Sequence, residues 1–272
     1  SGHGPRVELS DLLHAALAFE HTWTETGCKV ERRPYGALLR NDRYPLVLMA
    51  NMAWVERVPE DEIEEVLADL DRVFAGTAVR HRYLVFDAAQ AAFGEQEALA
   101  RFGFLPDAVV AMARLGIPAC ITNPDLEVRE VGTGAPETDF RKVWLATREE
   151  MGWTPGEARQ VYELDRERAA AVGQKAFVSY LGGEPAGTFA LWARGTSALV
   201  EDVATLPRFR MKGVGRTMIF DACKRAVNLG CEWTLLMTPL VGSPQIMYKT
   251  LGFQPVGEIR SFLKVETPGG PA

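Results

Sequence analysis

The chain has 272 residues, of which 47% are apolar and 24% charged, with a formal net charge of −6. That composition suits a soluble globular protein of one large or two ordinary domains. The acidic balance argues against broad nucleic-acid binding, which needs a basic surface; no nucleic-acid partner is expected, although a small basic pocket is compatible with it.

In chain order, DLLHAALAFEHTW (11–23) reads as a helix, and YGALLR (35–40) and YPLVLMANMAWVE (44–56) as strands. PEDEIEEVLADLDRVFAG (59–76) has an acidic start, apolar residues at Ile63, Val66, Leu67, Leu70 and Val73, and a final glycine, which mark a helix. A short buried strand at 83–86, a helix closing at Gly103 and a strand over 108–115 follow. The turn-rich GIPACITNPDLE (116–127) is the expected domain boundary.

The second half reads as a strand at 126–131 and helices at 138–152, capped by Asp139 or Thr138, and at 155–172. Strands at 175–181 and 186–193 flank a GGEP hairpin turn, and a third strand spans 197–206. A helix from Gly213 to Leu229 carries Val214, Met218, Ala222 and Ala226 on one stripe and stops at Gly230. A strand at 232–240, a helix at 243–253, a strand at 255–265 and a frayed tail complete the chain. Three successive strands predict an antiparallel meander, and the strand-helix-strand unit after it a parallel pair.

Residues 208–217, RFRMKGVGRT, join a strand to a helix. The first turn of a helix has unpaired N–H groups and a partial positive charge, and glycine lets an anion approach the backbone. Arg210, Lys212 and Arg216 add charge at the mouth. The stretch is neither a GxxxxGK[ST] phosphate loop nor a GxGxxG fingerprint, because Met218 stands three residues after Gly215. Taken alone, it fits a tight turn with solvated basic residues as well as it fits an anion site.

Its context decides. Arg210 to Gly215 follows a strand ending Val203-Ala204-Thr205-Leu206-Pro207, and Tyr248-Lys249-Thr250-Leu251-Gly252-Phe253 comes later. Together these resemble the GNAT superfamily of acyl-CoA-dependent N-acetyltransferases. The first stretch is similar to its [Q/R]xxGx[G/A] pyrophosphate loop and the second to its YxxLGF segment. The resemblance spans about residues 125–265.

What the resemblance implies is an α/β fold of the mixed α+β kind, a mostly antiparallel twisted sheet flanked by helices. It implies acetyl-CoA as co-substrate and a primary amine as acceptor. The main-chain N–H groups of Arg210, Met211, Lys212, Gly213, Val214, Gly215 and Arg216 would wrap the pyrophosphate. The backbone of Val203, Ala204 and Thr205 would pair with the pantetheine arm, and the N–H of Val203 or Ala204 would polarise the thioester carbonyl. Tyr248, a phenol with pKa near ~10, would be the acid for the departing thiolate; a packing aromatic is the plainer reading.

An amine acceptor must lose a proton. For a lysine amine this costs about 4.6 kcal/mol at neutral pH, and for an α-amine about 1 kcal/mol. A carboxylate or ordered water is therefore wanted. Glu201 lies two residues before Val203, on the same face of a regular strand, and is the first choice as base; a structural carboxylate is the alternative. Trp153 is a candidate wall of the acceptor pocket or a packing residue. Glu149 and Glu150 attract a cationic amine or simply face solvent.

The first half ends like the second. YLVFDAAQAAFGEQEALARFGF and WTLLMTPLVGSPQIMYKTLGF both run strand, loop, short helix and x-G-F, with Phe102-Gly103-Phe104 matching Leu251-Gly252-Phe253. This looks like a tandem chain with a degenerate first copy: residues 5–120 non-catalytic, residues 125–265 catalytic. The first copy has no glycine loop, stacks Glu60, Asp61, Glu62, Glu64 and Glu65 where the phosphate would sit, and offers Ala98 near the tyrosine position. Completing the fold, shaping the acceptor pocket and forming a homodimer are the roles open to it.

Cys28, Cys120, Cys223 and Cys231 form no CxxC pair and lie far from the histidines, so no metal is expected. No apolar run reaches the ~18 residues of a membrane span and no signal peptide is visible, which leaves no membrane partner and a cytoplasmic location as the expectation. The opening SGHG reads as a tag remnant. The rival to an enzyme is a coenzyme A-binding sensor or partner-binding module without turnover. The sequence does not name the amine or separate acetyl from longer acyl donors.

Overall fold

The computed structural model describes residues 7–59, 62–240 and 242–266; the expected tag remnant and, Glu266 apart, the tail lie outside these. The chain divides into two units, Ser1–Phe19 with Val110–Gly257, and Glu20–Val109 with Glu258–Ala272. It crosses from one to the other within α1 (Leu9–Glu25), β5 (Leu105–Leu115) and β11 (Gln254–Val265).

In the first unit, β6 (Leu126–Glu130), β7 (Lys175–Leu181), β8 (Glu184–Arg194) and β9 (Ser197–Thr205) form the expected antiparallel meander. β10 (Trp233–Pro239) pairs with β9 in parallel, joined to it through α6 (Val214–Asn228). Strand order is β5-β10-β9-β8-β7-β6. Because side chains alternate along a strand, Phe189, Leu191 and Val200 reach one face. There they meet Val214, Met218 and Ile219 of α6, and Tyr248 of α7 (Ser243–Thr250). The other face carries α4 (Glu137–Glu150) and α5 (Pro155–Val172), packed through Phe140, Trp144, Tyr162, Val178 and Tyr180.

The start of α4 differs from expectation, and that of α5 stands where expected. α4 begins at Glu137 behind Pro136, and neither Thr138 nor Asp139 caps it. The Asp139 carboxylate is instead taken by the Tyr180 hydroxyl at 2.6 Å. α5 has a full capping box, with Thr154 Oγ1 accepting from the Glu157 N–H at 3.2 Å and the Glu157 carboxylate accepting from the Thr154 N–H at 2.8 Å.

The second unit holds β1 (Lys29–Arg33), β2 (Gly36–Arg40), β3 (Met52–Val55), β4 (His81–Phe86), the end of β11, α2 (Ile63–Phe74) and α3 (Ala89–Arg101). β1-β2-β3 is antiparallel, β3 and β4 are parallel across α2, and β11 is antiparallel to β4. The strand expected over 44–56 is shorter: Leu48–Ala50 forms a 3-10 turn and β3 starts at Met52. Buried Asn51 explains this. Its Nδ2 donates to Tyr44 O at 2.9 Å and its Oδ1 accepts from the Asn41 N–H at 3.0 Å, which holds the preceding segment as a loop.

The chain runs through one local plan twice, β3-α2-β4-α3-β5 and β9-α6-β10-α7-β11. The helix ends of the two passes match in detail. Phe104 N–H bonds Leu99 O at 3.0 Å and Phe253 N–H bonds Tyr248 O at 3.0 Å, with Gly103 and Gly252 both at positive φ. This pairing places Leu99, rather than Ala98, at the position equivalent to Tyr248. Leu99 is fully buried and apolar.

Candidate active site

After β9 a 3-10 turn, Pro207–Phe209, is anchored by buried Phe209. The chain then enters α6 through Gly213, whose φ of +74° is one that L side chains rarely adopt. Among the described residues, the N–H groups of Met211, Lys212, Gly213, Val214, Gly215 and Arg216 donate no hydrogen bond; Thr217 is the first to do so, to Gly213 O at 3.0 Å. Arg210 differs from the other residues expected to bind there, because its N–H bonds Pro207 O at 3.2 Å. The loop is tied at its back by Asn123, whose Nδ2 donates to Lys212 O at 2.9 Å and whose N–H donates to Thr217 Oγ1 at 2.8 Å.

Lys212 and Arg216 form no ion pair among the described residues, so their charge faces outward unopposed. The Arg210 guanidinium is engaged by Glu150 in two bonds, at 2.7 and 2.6 Å, and its Nε donates to Thr205 O at 3.2 Å. This pairing holds the Glu150 carboxyl below its usual range. Glu150 is thus an anchor for Arg210 and not simply a solvated charge.

Beside this loop the sheet opens. β9 and β10 pair only through Ser197↔Trp233, Ala198↔Thr234 and Leu199↔Leu235, although β9 runs on to Thr205 and β10 to Pro239. Leu206 N–H turns to Ala186 O at 2.9 Å, on the β8 side. N–H direction alternates along a strand, so Ala204 also faces β8, while Val203 and Thr205 face the opening. The helices meet there too: a Cβ on Gly215 would lie 3.3 Å from Met247 Sδ and 3.9 Å from Thr205 Oγ1.

A bulge precedes the opening. Glu201 opposes Ala190 and Ala204 opposes Thr188, so Asp202 and Val203 together face Phe189. Asp202 takes φ +53°, unusual for a residue with a side chain. The bulge overturns the expectation that Glu201 and Val203 share a face. Thr188 and Ala190 lie on one face of β8, so Glu201 goes with Ala204, while Val203 packs against the α6 side.

Tyr248 lies in that α6–α7 core with its ring edge-on to Phe253, at 6.0 Å between centroids. It is 6% exposed, and its hydroxyl makes no hydrogen bond among the described residues. Burial pushes its pKa up to about 12. Glu201 reaches the opposite face, where its Oε2 accepts from Gln174 Nε2 at 2.7 Å and Trp192 Nε1 at 2.9 Å.

On that same face, Trp153 meets Trp144 edge-on at 6.2 Å. Arg148 lies over Trp144 at 4.2 Å and donates to Asp202 Oδ1 at 2.7 Å, beside the Trp144 Nε1 bond to the same oxygen at 3.1 Å. Trp153 packs in an aromatic-cationic group that includes Arg148. The sequence did not signal Arg148, and an even strand would turn Asp202 away from the face of Glu201; the bulge instead leaves both carboxylates on the α4 side.

Among the described residues, the second unit shows no such opening between β3 and β4. β3 and β4 stay paired to Val55↔Phe86, and the Asp87 N–H continues the ladder to Val55 O at 3.1 Å. Glu64 and Glu65 occupy the first turn of α2; Glu60 and Asp61 lie outside the described residues. Among the described residues, no group of three or more His, Cys, Asp or Glu side chains is placed to hold a metal ion, and no helix is long and apolar enough to cross a membrane.

Residues 173–255 match the family model described as acetyltransferase (GNAT) domain. No curated protein matches. Among solved structures, a functionally unknown conserved protein from Staphylococcus epidermidis aligns with TM-score 0.71 at 14% identity, over 89% of this chain and 96% of that one. A GCN5-related N-acetyltransferase from Kribbella flavida aligns with TM-score 0.65 at 17% identity, over 95% and 96%. A tandem GNAT protein from the clavulanic acid biosynthesis pathway aligns with TM-score 0.55 at 13% identity, over 90% and 85%. At these identities the structures establish likeness of fold.

Proposed function

We propose that this chain, whose residues 173–255 match the acetyltransferase (GNAT) domain model, moves an acetyl group from acetyl-CoA to a primary amine by direct transfer. The observation that carries this reading is the opening between β9 and β10 beside six unengaged loop N–H groups. A diphosphate fits such donors at a helix start, with Lys212 and Arg216 at its flank. The pantetheine arm, which carries amides of its own, pairs along Val203 to Thr205 as an added strand.

The amine attacks the thioester carbonyl, and the Val203 N–H, which faces the opening, stabilises the oxyanion. Tyr248 donates to the leaving sulfur. With its pKa near 12 and an ordinary thiol near ~8.5, complete proton transfer is uphill by about 5 kcal/mol, so hydrogen bonding to the thiolate is its larger contribution. Glu201, fixed by Trp192 and Gln174, takes the amine proton directly or through water from the opposite sheet face. Residues 125–265 form the catalytic domain of this reading. Residues 5–120 are a degenerate copy whose closed β3–β4 ladder, acidic α2 start and Leu99 leave it without coenzyme or chemistry.

Calorimetry with coenzyme A, followed by thiol release from acetyl-CoA over a panel of amines, tests the reading. It expects binding and amine-dependent release. Binding without release for any amine would favour a coenzyme A-binding module, and absence of binding would remove the reading altogether.

A further inference from the structure

The transfer reading names Val203 N–H as the group that polarises the thioester, and the present inference rests on that reading. We propose that Asp202 is a positioning residue for this N–H. Its carboxylate, clamped by Trp144 and Arg148 of α4, sets the bulge that aims Val203 into the opening between β9 and β10.

Several independent contacts converge on this one residue. Its Oδ1 accepts from Trp144 Nε1 at 3.1 Å and from Arg148 Nη2 at 2.7 Å. Its carbonyl accepts from Thr188 Oγ1 at 2.9 Å, across the strand pair. Its backbone sits at φ +53°, where a non-glycine residue persists only if its surroundings hold it. The donors are themselves fixed: Trp144 is 1% exposed, and the Arg148 guanidinium is stacked on it at 4.2 Å. The Arg148–Asp202 pair is partly buried, with side chains 16% and 15% exposed, so water screens it less than a surface pair.

The consequence is geometric. The extra residue shifts the register so that, counting back from Leu206 and Ala204, whose N–H groups face β8, the Val203 N–H turns toward the opening. A regular strand through Glu201, Asp202 and Val203 would have turned that donor the other way. A clamp from α4 therefore decides whether the Val203 donor stands at the thioester. Asp202 itself touches no reacting atom.

The test uses the full chain with acetyl-CoA labelled with carbon-13 at the carbonyl, and reads the carbonyl stretch of the bound thioester by difference infrared spectroscopy. Wild-type protein is expected to lower that frequency relative to free acetyl-CoA. Asp202→Asn keeps an acceptor oxygen and tolerates positive φ, so it should retain the shift. Asp202→Ala should lose it, with kcat falling roughly tenfold or more and KM for acetyl-CoA within about twofold. Asp202→Gly keeps the backbone freedom without the clamp and should also lose the shift. Trp144→Phe, which removes one donor, should weaken it, and this variant serves if Asp202→Ala does not fold.

A wild-type shift retained in the Ala, Gly and Phe variants would overturn the proposal, as would an Asn variant that behaves like Ala. A wild-type protein that binds no acetyl-CoA would instead remove the transfer reading, and this inference with it.

Discussion

Replacing Tyr248 by phenylalanine should move activity and stability in different directions. The hydroxyl has no hydrogen-bond partner among the described residues, and the ring edge on Phe253 survives the change. Removing it forfeits no intramolecular bond, so stability should hold or rise by up to about 1 kcal/mol, or a few degrees in Tm for a chain of this size. The transition state loses a donor at the leaving sulfur, which should lower kcat by about 10- to 100-fold, or ~1.4–2.7 kcal/mol. Because the hydroxyl pKa is near 12, wild-type turnover should show no loss of this donor between pH 7 and 10, an interval set by about two units below that value. Thermal unfolding and a thiol-release assay on both proteins provide the readings. Unchanged turnover in the variant, or a loss of several kcal/mol in stability, would refute the assignment and return Tyr248 to a packing role.

Other outcomes follow from the same geometry. Glu150→Gln should free Arg210 and remove a negative charge near the loop, tightening coenzyme A binding several-fold at low salt and less at high salt, measured by calorimetry. One coenzyme A should bind per chain, because the β3–β4 ladder is closed; a second site by calorimetry would contradict the degenerate-copy reading. Asp165 is pushed up to about 7, first by burial and then by the Asp202 charge. The folded state therefore holds its proton more tightly than the unfolded state, so this residue's contribution to stability is present below about pH 4 and lost as pH rises through about 7. Denaturant titrations should show Asp165→Asn removing that decline. His21 is the opposite type of group: burial lowers its pKa, but Asp87 at 2.8 Å outweighs burial and the net shift is upward. Asp87→Asn should therefore cost stability below pH 6.5, the ordinary value for an imidazole, and progressively less as the imidazole loses its proton.

Local signals in the sequence were clear wherever they coincide with period and punctuation. The apolar stripe of α6, the glycines after α3 and α7 and the meander β7-β8-β9 all stand where the letters place them. β1 was not legible because KVERR has one apolar residue and lies at a sheet edge, paired only with β2. The capping box of α5 is legible in Thr154-Pro155-Gly156-Glu157. At the site, the glycine loop and Tyr248 could be located from motif and order. The bulge could not, because SALVEDVAT reads as an even strand and no glycine marks the positive φ at Asp202. One extra residue there reversed the face assigned to Val203 relative to Glu201, and only the tertiary partners Trp144, Arg148 and Thr188 reveal why it is stable.

An unzipped sheet invites foreign peptides as readily as a cofactor's arm, since bare amides template any extended chain. Here the inviting stretch is short. Pro239 closes the β10 side and Pro207 follows the β9 side, and neither imino acid can donate to an incoming strand. The gap thus favours a guest with a few peptide-like amides on a slender thread and gives a longer polypeptide little ladder to extend.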